Sequence, residues 1–127
     1  MTTHSNRALI ALAVAAVLTA LLFGGVTPAH ATPGSRANAV RAAKEYLQTQ
    51  AFSLRGLVKQ LRFEGFSKSD AYYGASHAGA NWMKEAVKAA KEYLHTMAFS
   101  RSGLIAQLRF DGFTLRQARH GAIAAGL

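Results

Sequence analysis

Residues 51–66 read AFSLRGLVKQLRFEGF, and residues 98–113 read AFSRSGLIAQLRFDGF, the same phrase at an offset of 47. Laying Ala39–Gly79 over Ala86–Gly126 leaves 25 identical positions in 41. The chain is therefore a tandem duplication, and a unit of this length accommodates two or three short helices. Within the phrase, Ser53 and Ser100 are N-cap candidates, because a hydroxyl can accept from the unpaired amides of a first helical turn. Leu57, Val58 and Leu61, with Leu104, Ile105 and Leu108 in the second copy, fall at i, i+1 and i+4 and make one apolar stripe. Gly65 and Gly112 supply the left-handed residue that commonly closes a helix, and Phe66 and Phe113 fold back behind it. Ser67 and Thr114 then cap the next helix, with Asp70 completing a box-like Ser-x-x-Asp in the first copy. The pattern predicts helix, four-residue turn, helix, twice.

The 127 residues are 50% hydrophobic and include no cysteine, so one small domain must be held by packing alone. A formal charge of +9 favours anionic surroundings: nucleic acid, an acidic membrane or wall polymer, or an acidic protein. The charge is shared evenly, with seven Lys/Arg against three Asp/Glu in residues 35–80 and the same numbers in 81–127.

From the amino terminus, a short segment with Arg7 precedes Ala8–Phe23, which is uncharged, and Gly24, Gly25 and Pro28 follow. Ala29-His30-Ala31 presents small residues at the spacing a signal peptidase requires. Residues 1–31 read as a secretory signal peptide cleaved after Ala31. The rival reading is an uncleaved anchor in the cytoplasmic membrane through residues 8–27, long enough to span. Either places Thr32 onward outside that membrane, secreted or on the cell surface. Thr32–Asn38 has linker composition. From Ala39 the pattern turns amphipathic, with Val40, Ala43, Tyr46 and Leu47 on one side and Arg41, Lys44, Glu45 and Gln48 on the other. Helices near 54–63 and 68–78 follow, and Gly79-Ala80 breaks the chain. Asn81 caps a helix beginning at Trp82, and the two short helices repeat. The expected fold is all-α, with helical repeat 1 at 39–80, helical repeat 2 at 81–127 and a helix-turn-helix in each. Units this small dock on each other, and Trp82, opposite Ser35 in the first copy, is either a residue of the seam or part of its own unit's core.

The two copies also report on each other. In the last helix of each unit they agree at Ala71/Ala118, Gly74/Gly121, Ala75/Ala122 and Ala78/Ala125, a small and buried face. They differ at Ser69/Arg116, Tyr72/Arg119, Tyr73/His120 and Ser76/Ile123. Tyr72, Tyr73, Arg116, Arg119 and His120 are thus candidate partner-binding residues, with the tyrosines as aromatic anchors; neutral drift of a solvated face gives the same pattern. Gly56 and Gly103 stand inside predicted helices at a cost of roughly 0.5–1 kcal/mol relative to alanine, which points to close approach of another helix.

Catalytic chemistry has no foothold. Glu45 and Glu92 follow lysines on exposed faces, and the five histidines lack metal-ligand spacing. Ser53 and Ser100 lack a His/Asp partner pattern, and there is no phosphate-binding glycine loop. Neither catalysis nor a cofactor or metal is expected. Arg116, Gln117 and Arg119 at the start of a second helix are residue types that read DNA, but an exported protein meets no chromosome.

The order Ala-x-x-Tyr-Leu, then Phe-Ser-x-x-Gly-Leu-x-x-Gln-Leu-x-x-x-Gly-Phe-Ser/Thr-x-x-x-Ala, repeated after Asn81-Trp82, resembles the host cell surface-exposed lipoprotein family, typified by a phage-encoded superinfection-exclusion protein. Ala42–Ala71 and Asn81–Ala118 carry the likeness. The resemblance implies a tandem helix-turn-helix domain displayed outside the membrane that binds an incoming phage component, such as the tape-measure protein, and blocks entry of phage DNA. Two features depart from the family: the lipobox cysteine is missing, and the basic surface suits an acidic partner. The alternatives are an envelope module holding anionic wall polymer or lipid, and a DNA-binding helix-turn-helix protein.

Overall fold

The structure, a computed structural model, describes residues 33–127. The expectations for residues 1–31, a leader cleaved after Ala31 or an anchor at 8–27, lie outside the described residues. Six helices follow in order: α1 (Pro33–Thr49), α2 (Leu54–Phe63), α3 (Lys68–Ser76), α4 (Trp82–Thr96), α5 (Arg101–Phe110) and α6 (Leu115–Ala124). No strand occurs among the described residues, so the all-α expectation holds there. In the first unit α3 packs on α1 and α2, and in the second α6 packs on α4 and α5.

One boundary differs. Residues 33–38, read as linker, form the opening turns of α1. Proline suits a first helical position, where its missing N–H has no partner to lose. Ser35 turns inward, buried, and donates to the Asp70 carboxylate at 2.7 Å. That bond also revises the Ser-x-x-Asp reading. The Asp70 amide does donate to the Ser67 hydroxyl at 3.0 Å, but the fully buried Asp70 side chain crosses to α1, where Arg36 approaches at 3.6 Å. The full capping box belongs to Thr114 and Gln117 instead. In that unit Trp82 stands where Ser35 would, so no hydroxyl waits for an acid at position 117.

Each helix-turn-helix is closed by the expected chemistry. Ser53, Ser67, Asn81, Ser100 and Thr114 all cap through their side chains. After α2 the Phe66 amide donates to Leu61 O and the Gly65 amide to Arg62 O, and Phe113 and Gly112 do the same to Leu108 and Arg109. This pair of bonds needs a left-handed residue, and Gly65 and Gly112 supply φ of 96° and 100°. Helix α3 stops at Ser76, capped by His77, slightly short of the expected end.

The core is two clusters of alanines around paired leucines. Leu57 and Leu61 are fully buried in the first, Leu104 and Leu108 in the second. Small residues let the helices approach closely. A Cβ added at Gly74 would lie 2.6 Å from the Ala39 carbonyl carbon, and one at Gly121 would lie 2.6 Å from the Ala86 oxygen. The small face inferred for the last helix of each unit is thus its contact with the first.

The units dock. Trp82 packs against the first unit's cluster, and Ala51 against the second's, which places Trp82 at the seam. The Phe52 amide donates to Glu85 at 3.3 Å, the Ser53 hydroxyl to Asp111 O at 2.5 Å, and Lys88 to Leu47 O at 3.3 Å. Burial is asymmetric for the same reason. Phe52 and Phe113 are buried, whereas their counterparts Phe99 and Phe66 are half-buried.

Candidate binding surface

All fourteen Lys and Arg side chains among the described residues are exposed, but only two of the six carboxylates, Glu45 and Glu92, are. The other four are drawn inward by hydrogen bonds, so the surface is more cationic than the formal charge indicates. Asp70 faces Ser35, and Glu85 faces the Phe52 amide. Glu64 and Asp111 belong to a triangle built once in each unit. Tyr46 donates to Glu64 at 2.5 Å while Gln60 donates to both at 3.2 Å. Tyr93 donates to Asp111 at 2.7 Å while Gln107 donates to both at 3.2 Å. Edge-on contacts of Tyr46 with Phe52 and Tyr93 with Phe99, with centroids 5.7 and 5.6 Å apart, fix the phenol rings. Sequence reasoning placed Tyr46 on the apolar side of its helix and gave Glu64 and Asp111 no role. The available signal was that Tyr, Gln and an acid recur at matching positions of both copies, 14 and 18 residues apart.

Burial, reinforced by the Glu64 hydrogen bond, pushes the Tyr46 hydroxyl from the usual 10.0 up to about 12. Burial, followed by the negative charge of Asp111, raises Tyr93 as well. Burial also lifts the Asp111 carboxyl, against the Tyr93 and Gln107 hydrogen bonds that pull it down. The folded chain therefore holds both phenolic protons to higher pH than the unfolded chain does. Their contribution to stability is complete below pH 10.0 and is lost as pH climbs towards about 12. Chemical denaturation across that range should show this loss. The Tyr46→Phe, Tyr93→Phe double variant should show a flatter alkaline limb, and an unchanged slope would contradict the assignment.

The residues singled out for partner binding are divided between the units. Tyr72 is 59% exposed. Tyr73 is half-buried, stacked on His77 at 3.9 Å, with the Arg36 guanidinium 4.9 Å from its ring centre. It is engaged within its own unit, unlike the more open Tyr72. Arg116, Arg119 and His120 are all exposed on α6, and the tyrosines sit on α3. Gln117, the base-reading candidate, has its side chain turned back to accept from the Thr114 amide at 2.9 Å. Gly56 lies 3.3 Å, measured from an added Cβ, from the Asp111 carbonyl at the end of α5, so another helix's terminus does approach it. Gly103 meets only Ser100 and Phe99 of its own unit. The close-approach explanation therefore applies to the first copy alone.

Among the described residues no group of three His, Asp or Glu side chains could hold a metal ion, and no helix is long and apolar enough to cross a membrane. The described residues define a class: a doubled helix-turn-helix bundle with a cationic, partly aromatic exterior. The host cell surface-exposed lipoprotein family model matches residues 35–77 and 81–123, one match per unit, and the chain belongs to that family. It is similar to a solved structure, Ltp, a superinfection exclusion protein from the Streptococcus thermophilus temperate phage TP-J34, with 32% identity and a TM-score of 0.68. The likeness covers 76% of this chain and 98% of that one. No curated protein matches the chain.

Proposed function

We propose that this protein is an exported, non-enzymatic binding protein of the cell envelope that excludes superinfecting phages by binding an incoming phage component and blocking DNA injection. The observation that carries the reading is the 32% identity, across both units, to a superinfection exclusion protein. The family's description as surface-exposed agrees with the leader-like residues 1–31. On this reading Tyr72, Arg116, Arg119 and His120 contact the partner, with Tyr73, held between His77 and Arg36, beside Tyr72 on α3. The exposed cations favour an acidic segment of that partner.

Expression in a phage-susceptible host provides the test. Adsorption should be unchanged while DNA entry and plating efficiency fall, and the Arg116→Ser, Arg119→Ser variant should restore part of the plating. Normal DNA entry in cells displaying the folded protein would overturn the reading.

A further inference from the structure

One face of α2 is both basic and aromatic. Arg55, Lys59 and Arg62 lie at i, i+4 and i+7, all exposed, on the side away from the buried Leu57 and Leu61. Phe63, next in the chain, is 75% exposed. The seam extends this ridge. Ser53 bonds Asp111 O, and a Cβ at Gly112 would fall 2.9 Å from the Arg55 Cβ. This brings the preceding pair, Arg109 and the 70% exposed Phe110, to the other end of α2. We infer that this ridge docks the bundle on an anionic lipid surface.

Two observations support a bilayer as occupant. First, the Arg-Phe pair at 62–63 recurs at 109–110 with its ring exposed both times, although water is a poor solvent for a bare phenyl ring. A hydrophilic polyanion would satisfy the cations and leave those rings wet. A bilayer interface takes both, with rings at the acyl boundary and cations among the phosphates. Second, neither α2 nor α5 carries an exposed carboxylate, and Glu64 and Asp111, which follow Phe63 and Phe110, are half-buried and held by Tyr46 and Tyr93. Arg55 and Lys59 are particular to the first unit, because they correspond to Ser102 and Ala106 in the second, whereas the Arg-Phe pair is common to both.

The test uses residues 32–127, which contain both cores and all the caps, and whose counterpart is 98% of a separately solved chain. The protein is sedimented with phosphatidylcholine vesicles with and without phosphatidylglycerol. Binding should require phosphatidylglycerol and weaken steeply with salt. Arg55→Ser with Lys59→Ala places the second unit's own residues on this exposed face of α2, and circular dichroism should show unchanged helix content. It should lower the partition coefficient on the order of 25-fold, from about fivefold per cation at an anionic surface. Phe63→Ser with Phe110→Ser should also weaken binding, while Lys84→Ala with Lys91→Ala on α4 should change it little. The proposal is overturned if the parent stays in the supernatant. It is equally overturned if the α4 variant loses as much as the ridge variant, which would indicate net charge alone. Full binding by the Phe variant, competed away by soluble polyglutamate, would assign the ridge to an acidic polymer instead.

Discussion

Gly74→Ala lowers the melting temperature by about 8–16 °C, at about 4–8 °C per kcal/mol for a domain of this size. The added methyl would lie 2.6–2.7 Å from the backbone carbon, oxygen and Cβ of Ala39. No rotamer change relieves a clash with backbone, so α3 must lift away from α1 and loosen the buried Ala71 and Ala75. Overpacking of this kind costs about 3 kcal/mol, and the gain in helix propensity returns about 1 kcal/mol, leaving a loss of about 2 kcal/mol. Gly121→Ala should behave alike against Ala86. Gly34 is the contrast, exposed in the first turn of α1 with nothing within 4 Å of an added Cβ. Gly34→Ala should raise the melting temperature. Thermal melts followed by circular dichroism separate the two signs, and a stabilised Gly74→Ala protein would refute the close packing of α1 on α3.

Ser53→Ala should cost about twice what Ser100→Ala costs, although both serines cap equivalent helices. Each loses an N-cap, at about 1 kcal/mol. Ser53 is almost fully buried and also donates across the seam to Asp111 O. Its removal leaves that carbonyl without this donor and adds about 1 kcal/mol. The cap of Ser100 is exposed, and its hydroxyl meets only Ser102 and the Gly103 amide. Urea denaturation of the two variants measures the difference. Equal midpoints would mean that the Ser53–Asp111 bond contributes nothing to stability.

The serine pair also marks what the sequence could tell. Two identical phrases specified two identical caps, because an N-cap is a local event decided within four residues. The same holds for Gly65 and Gly112, where the turn itself demands the left-handed residue. Asp70 was misread for the opposite reason. Its spacing from Ser67 suits a capping box, but a buried partner 35 residues away competes for the carboxylate, and only tertiary contact brings Ser35 within 2.7 Å. Residues 33–38 looked like linker because Pro33 and Gly34 are poor helix formers, and the packing of Ser35 and Ala39 outweighed them. Of the partner-binding candidates, the sequence located positions where the copies differ but could not separate the open Tyr72 from Tyr73, which His77 and Arg36 enclose.

By itself, the sequence determined the duplication, the helix-turn-helix in each copy, the caps that bound the helices and the excess of positive charge. These are properties of neighbours in the chain, so periodicity and short-range chemistry suffice. The tertiary structure alone decided that Trp82 closes the first unit's core, that Gly56 faces the other unit while Gly103 faces none, and that, among the described residues, four carboxylates turn inward while every Lys and Arg stays outside. Identical residues acquire different roles once two copies meet face to face, because one copy's exposed surface becomes the other's buried seam, and no local pattern records which side of each unit is covered.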